Sequence, residues 1–188
     1  MRKILLSLIA LLPLLGAAQS FTLTPDGFVN TDEPEKTYIV VEMEGTQAEL
    51  FNRAKTAISS MWNSPKDVLS FSEPDIIIVN GYSANAAHFK KWGRNNVWGM
   101  SYRIQVLFKE GRIRIDAPTI GSLEYLSGQG TMYIGPGDNS TSSHTVYAYE
   151  TNGKARYPDF NSNIEAYFNG LTSTFIDKMR NGVAAEDW

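Results

Sequence analysis

The chain has no cysteine among its 188 residues. That excludes a disulfide framework, a cysteine-ligated zinc site, a cysteine nucleophile and a lipidated N-terminal cysteine. Histidine is nearly as scarce, with His88 and His144 the two copies. Neither sits in H-E-x-x-H or another readable metal spacing, and no G-x-S-x-G occurs to mark a nucleophile. Both fall in or beside polar segments and read as exposed loop residues. The glycines at 128, 130, 135 and 137 form neither a P-loop nor G-x-G-x-x-G and read as turn glycines. A carboxylate pair for glycoside cleavage has to come from Glu124, Asp138, Glu150 or Asp159, whose spacing in sequence says nothing of their separation. No catalytic residue, metal ligand or cofactor is assigned.

Positive charge is also in deficit. There are 17 basic and 20 acidic residues, a formal net charge of −3, and loss of Arg2 and Lys3 with a leader leaves 15 against 20, or −5. An acidic protein is a poor prior for nucleic acid or an anionic membrane surface. No apolar run reaches the roughly 20 residues that span a bilayer. Residues 4–15 form an apolar run of 12, preceded by Met1-Arg2-Lys3 and followed by Gly16-Ala17-Ala18. A basic start, a short apolar region and small residues at the cleavage positions are the pattern of a signal peptide. The reading is a signal peptide over 1–18, cut after Ala18 with Ser20 as the second site. It implies an exported protein, periplasmic or secreted, with no transmembrane segment once the leader is removed.

What remains is an ordinary globular composition, 43% hydrophobic, 20% charged and 12% aromatic, in a length that suits one domain. Residues 19–35 read as a polar N-terminal lead-in. Asp26, Asn30, Asp32, Glu33 and Glu35 do not fit an EF-hand spacing there. Residues 36–183 read as a single α+β domain. Its best-defined stretch is 98–116. Trp98, Met100, Tyr102, Ile104, Val106 and Phe108 fall on every second residue, Glu110-Gly111 breaks the run, and Ile113 and Ile115 resume it. That is a hairpin in which Phe108 faces Ile113 and Val106 faces Ile115. Residues 36–43 predict a strand buried on both faces, 68–72 and 76–82 two more, and 83–96 an irregular polar segment. Residues 131–134 and 145–149 are placed as a second hairpin across Gly135-Pro136-Gly137-Asp138-Asn139. Asn139-Ser140-Thr141 is a glycosylation sequon by letter and reads as a surface loop.

Two helices complete the order. Residues 46–62 open on a Thr46/Glu49 capping box and align Leu50, Ala54, Ala57, Ile58 and Met61 on one face. The second helix is read from a Ser162/Glu165 box and the stripe Ile164, Phe168, Leu171, Phe175 and Met179. Two one-striped helices need one sheet face to cover. The prediction is a two-layer sandwich, β-α-β-β-β-β-(ββ)-α, with an antiparallel sheet and its other face open.

This order and several local patterns resemble a family of secreted bacterial domains of unknown function with a fold like that of the TATA-binding protein. The resembling residues are Tyr38-Ile39-Val40-Val41, the helix over 46–62, Val68-Leu69-Ser70-Phe71-Ser72, Ile76-Ile77-Ile78-Val79-Asn80-Gly81, and 102–115 with its Glu110-Gly111-Arg112 turn. The resemblance covers about residues 36–117 and extends to the last helix in kind only. It implies a fold and an exported location, and no activity.

Two features point to binding. Tyr82, Phe89, Trp92 and Trp98 are flat rings with polar neighbours, suited to stacking on a glycan or to a protein hot spot. Trp98 shares the parity of the hairpin core, whereas Trp92 lies among Lys90, Lys91 and Arg94. Arg103, Lys109, Arg112 and Arg114 share the opposite parity and fall on the open sheet face. The expectation is an exported, non-enzymatic binding or accessory domain of the bacterial cell envelope. A protein or glycan partner would meet Arg103, Arg112, Arg114, Trp92 and Tyr82. One alternative is a small-ligand carrier with a pocket between sheet and C-terminal helix, lined by Tyr167, Phe168 and Phe175. The other is a hydrolase with an unrecognised site around His88 or His144.

Overall fold

The computed structural model describes residues 19–139 and 144–182. The leader, residues 140 and 141 of the sequon and the end of the chain from 183 lie outside them.

The hydrophobic alternation at 98–108 builds the spine of the sheet. It is part of β6 (Arg94–Lys109), which pairs antiparallel with β5 (Ile76–Lys91) from Ile76↔Leu107 to Lys91↔Arg94. On its other side β6 meets two strands end to end. Its C-terminal half pairs with β7 (Arg112–Asp116) in the predicted register, Phe108↔Ile113 and Val106↔Ile115. Its N-terminal half pairs with β8 (Thr119–Tyr125), as in Arg103↔Thr119 and Met100↔Leu123. Beyond β7 lies β3 (Tyr38–Glu42), and beyond β5 lies β4 (Leu69–Ser72). Beyond β8 lie β9 (Thr131–Pro136) and β10 (Thr145–Tyr149).

One face of this sheet is covered. Its helices are α1 (Gln47–Met61) and α3 (Pro158–Asn181), with the short α2 (Pro65–Val68) after α1. The predicted capping box opens α1. The Glu49 N–H donates to Thr46 Oγ1 at 3.3 Å and the Thr46 N–H donates to Glu49 Oε2 at 2.8 Å. The Thr46 N–H and the Thr46 hydroxyl both donate to the Glu49 carboxylate and, with the nearby Arg53 charge, hold it below the usual range. Phe51 of α1 meets Phe108 edge-on at 5.5 Å, and Phe168 of α3 meets Tyr102 edge-on at 5.1 Å. The architecture is the two-layer α+β sandwich that the pattern predicts.

Several segments differ from the sequence reading. Residues 19–35 are not a solvated lead-in. They hold a hairpin, β1 (Phe21–Thr24) and β2 (Gly27–Asn30), with Phe21, Leu23 and Phe28 buried. Phe28 packs on Phe168 at 5.3 Å. The free edge of β1 is satisfied by side chains distant in sequence. The Phe21 N–H donates to Asn169 Oδ1 at 2.8 Å, the Leu23 N–H to Glu165 Oε1 at 2.8 Å, and the Tyr149 hydroxyl to the Leu23 carbonyl at 2.9 Å. Four-residue strands show too little period to be read, and their partners lie more than 120 residues away. Glu165 is thereby taken from the expected capping box. The helix starts a turn earlier, with Pro158 in its first turn, where a missing N–H costs nothing.

Residues 83–96 are not irregular. They are the far half of the β5–β6 ribbon, closed by Trp92 and Gly93 at φ +50° and +75°, the positive-φ pattern of a tight hairpin turn. Ser, Asn, Ala and Lys are poor strand formers, and a register shift between Ser83 and Ala87 breaks the period. β9 and β10 pair in parallel, Thr145↔Thr131 and Val146↔Met132, not as a hairpin. The Pro136-Gly137 segment stays on this ladder after a register shift, Pro136 pairing with Tyr149 and the Gly137 N–H donating to the Tyr149 carbonyl at 3.2 Å. Tyr147 then lies over Gly137, where a Cβ would stand 2.3 Å from the ring. Residues 119–125 carry no clear alternation in sequence and form β8. The runs at β3 and at the start of β5 alternate instead of burying both faces: Ile39, Val41, Ile77 and Val79 are buried, while Tyr38, Val40, Ile76 and Ile78 are only partly so.

Two glycines let rings lie flat on the ribbon. Gly81 sits opposite Tyr102, and a Cβ there would come 2.2 Å from its ring. Gly81→Ala should destabilise the fold by about 1–3 kcal/mol through overpacking. Gly121→Ala, with open space around it, should stay within about 0.5 kcal/mol. Urea denaturation of both variants checks the pair.

Burial, with the Glu165 charge nearby, pushes the Tyr149 phenol up to about 12. A phenol with a folded pKa above its unfolded 10.0 stabilises the fold fully below pH 10, and that contribution is lost as pH rises towards 12. Tyr149→Phe should lower stability at pH 7 by about 1 kcal/mol through the lost hydrogen bond. It should also flatten the stability loss between pH 10 and 12 in urea melts run across that range.

Candidate functional site

The alternation that buries Met100, Tyr102, Val106 and Phe108 turns their neighbours to the open face. Arg103, Lys109, Arg112 and Arg114 are all exposed there. They are not equivalent. Arg114 Nε stands 2.6 Å from Asp116 Oδ1, and its guanidinium lies 4.0 Å from the Tyr38 ring centroid. Asp116 also accepts from Gln105 Nε2 at 3.2 Å. Arg103 and Arg112 hold no ion pair among the described residues. A shallow hollow of about 290 Å³ is lined by Tyr38, Val40, Leu107, Lys109, Arg112 and Arg114. A second, of about 500 Å³, is lined by Asn80, Tyr82, Ser101, Arg103, Thr119 and Gly121.

Tyr82 joins this face. Its hydroxyl lies so close over Gly99 that a Cβ there would stand 2.3 Å away, and 56% of the residue is exposed. Farther along the same face, the rings of Tyr133 and Tyr147 meet at 5.8 Å. The other rings divide. Phe89 is stacked on Tyr157 at 4.1 Å, and Trp98 is buried against Tyr125 at 5.0 Å, so both are core. Trp92 is 91% exposed at the tip of the β5–β6 ribbon. At about 3.3 Å per residue it stands roughly 30 Å beyond Tyr82. The five residues singled out from sequence are therefore on two surfaces. Arg103, Arg112, Arg114 and Tyr82 share the open face, and Trp92 stands apart.

The pocket expected between sheet and C-terminal helix is filled. Tyr102, Tyr167 and Phe168 occupy it edge to face, with Tyr102 and Tyr167 hydroxyls 2.9 Å apart. Burial, then the bond to Tyr167, raises the Tyr102 phenol above its usual range. The cleft left beside Phe175 is about 30 Å³, room for water and far below the several hundred Å³ of a ligand pocket. His88 is on β5, its Nδ1 2.8 Å from the Asn85 carbonyl, and its own carbonyl accepts from Asn163 Nδ2 at 2.9 Å. His144 is exposed beside β10. Among the described residues no three His, Asp or Glu side chains gather as metal ligands do. Glu124 is on β8, Asp138 follows β9, Glu150 follows β10, and Asp159 is in the first turn of α3.

Sequence reading missed one hollow. A groove of about 490 Å³ runs between the β1–β2 turn and the β7–β8 junction, lined by Pro25, Asp26, Thr37, Asp116, Pro118 and Thr119. It exists because β7 and β8 share one side of β6 while β3 and β9 flank them separately. Nothing local in the sequence signals that gap. No described helix is long and apolar enough to cross a membrane.

No protein-family model and no curated protein matches the sequence. The structure is similar to that of a TBP-like protein from Parabacteroides distasonis ATCC 8503, with a TM-score of 0.52 and 15% identity over 76% of this chain and 90% of that one. A DUF4468 family protein from Bacteroides ovatus ATCC 8483 aligns with a TM-score of 0.45 and 12% identity over 80% of this chain and 87% of that one. At such identity the first likeness shows the fold and no chemistry: the chain has a TBP-like α+β fold.

Proposed function

We propose that this chain is exported to a bacterial cell envelope and acts there as a non-catalytic binding or accessory domain. The open sheet face meets the partner, a protein or a glycan. The observation that supports this is the composition of that face. Arg103 and Arg112 are exposed without an ion pair among the described residues, and Tyr82 offers an exposed ring in the lining of the same shallow hollow as Arg103. Charged side chains around a solvent-accessible aromatic ring are the composition of a polar, hot-spot-centred interface.

Export is supported by the basic start, the 12-residue apolar run and Ala18 ahead of β1. Expressed with its leader in a bacterium, the protein should leave the cytoplasm and begin at Gln19. Intact mass of the extracytoplasmic fraction reads this, and an uncleaved cytoplasmic product would end the export reading.

The double variant Arg103→Ser/Arg112→Ser should keep its stability within about 0.5 kcal/mol, both residues being exposed. It should weaken partner capture from crosslinked envelope fractions by roughly tenfold. Capture at wild-type strength would remove the open face from consideration.

A further inference from the structure

The net acidity of the chain hides an uneven distribution. Residues 76–109 hold five of its 17 basic residues and none of its 20 acidic ones. That stretch is the β5–β6 ribbon. Lys90, Lys91 and Arg94 crowd into its tip around Trp92, and residues 90–95 are all exposed. Lys91 pairs directly with Arg94, like charge opposite like charge, an unfavourable arrangement in the absence of an anion. None of the three cations holds an ion pair among the described residues. Lys91 Nζ lies 4.9 Å from the Trp92 ring centroid, so cation and indole point the same way.

We propose that this tip docks on an anionic phospholipid bilayer surface, Trp92 seated at headgroup level and Lys90, Lys91 and Arg94 against lipid phosphates. Indole is the side chain that favours the water–lipid boundary, with an apolar body and one polar N–H. Lysine and arginine are drawn to an anionic leaflet, each raising the partition constant roughly fivefold. The ribbon suits the task. Its backbone is paired across the hairpin up to Lys91↔Arg94, so the cross-strand hydrogen bonds of the tip are already made before it reaches the headgroup layer. One ring on one tight turn touches a surface, whereas single-stranded nucleic acid is held by successive rings along a cationic groove. The surface lies roughly 30 Å from Tyr82 at about 3.3 Å per residue, so docking leaves the open sheet face free.

The test uses the chain from Gln19 onward, whose buried residues form one core, because residues 1–18 are apolar enough to partition by themselves. It is spun with vesicles of phosphatidylcholine alone or of equal parts phosphatidylcholine and phosphatidylglycerol. The protein should sediment with the mixed vesicles, be released by salt, and stay in solution with phosphatidylcholine alone. Lys90→Ser/Lys91→Ser/Arg94→Ser should lower the partition constant on the order of a hundredfold. A charge-matched variant, Lys66→Ser/Lys154→Ser/Arg180→Ser, should keep it. Brominated lipid should quench part of the tryptophan emission in the parent and none of it in Trp92→Ser. Circular dichroism confirms that each variant is folded. The proposal fails if the parent ignores anionic vesicles, if the two triple variants lose binding equally, or if Trp92→Ser is quenched as the parent is. It also fails if a single-stranded oligonucleotide binds more tightly than the vesicles and strips the protein from them. Arg103 and Arg112 are unaltered throughout, so either reading can fail alone.

Discussion

Strand β6 has paired backbone on both sides, and the parity of its side chains decides where everything else goes. Met100, Tyr102, Val106 and Phe108 are almost wholly buried. A one-residue slip against either neighbour would turn all four to water. At roughly 1.5–3 kcal/mol for each large apolar side chain, the slip costs on the order of 10 kcal/mol, which is the whole stability of a typical domain. The register is therefore not one choice among several. It sets the parity of β5, β7 and β8, and through them that of β3, β4, β9 and β10. The face covered by α1 and α3 and the face left open follow from it.

The covered face needs more than two helices, because the sheet is wider than they are. The β1–β2 hairpin supplies the rest, packing Phe28 on Phe168 and handing its free edge to Asn169, Glu165 and Tyr149. A strand edge closed by side chains gains nothing from a neighbouring strand, so this small hairpin does not invite another chain to extend it. The same economy appears on the ribbon. Gly81 and Gly99 give up their own side chains, and Tyr102 and Tyr82 lie over them, one on each face. The inner ring becomes core and the outer one becomes the aromatic centre of the open face.

What could be read in advance follows the strength of local signals. The 98–116 hairpin, the α1 capping box and the stripe of α3 were legible because alternation, helical spacing and cap chemistry lie within a dozen residues of one another. The failures share a cause. Phe21, Leu23 and Phe28 are bound to partners at the other end of the chain. Glu165 looks like a cap, yet the Leu23 N–H binds it. Residues 83–91 have loop composition and are a strand because β6 lies beside them and completes their hydrogen bonds. Glycine and proline at 135–137 resemble a hairpin turn, and only the parallel placement of β10 shows otherwise. For the candidate site, parity correctly put Arg103, Arg112 and Arg114 on the open face. It was silent on Arg114 being engaged with Asp116 and Tyr38, because that depends on rotamers and on a strand across the sheet. Trp92 and Tyr82 group together in sequence because the residues between them have loop composition, and the strand those residues form sets the two apart.

That long strand also changes how the charge of the molecule is weighed. Net charge averages over a surface, and a net of −3 argues against an anionic partner only if the charges are mixed. Here an acid-free ribbon gathers three cations and an exposed indole at its tip, with Lys91 Nζ also 5.9 Å from the Tyr157 ring centroid. The arrangement works against stability on two counts. An exposed indole forgoes the several kcal/mol that burying about 200 Å² of ring would give at about 25 cal/mol per Å². A side chain with Cβ at φ +50° costs about 1 kcal/mol where glycine or asparagine would sit at ease. A third, smaller count is Lys91 set opposite Arg94. The contacts at the tip offset little of this: Lys91 lies over the rings of Trp92 and Tyr157, and a cation over an exposed ring is worth about 0.5–1 kcal/mol. Unfavourable terms that the fold does not offset are the mark of a site whose balance is completed by something outside the chain. Of the terms at this tip, the anion satisfies the like charges and the lipid boundary satisfies the indole, and a single anionic bilayer surface supplies both.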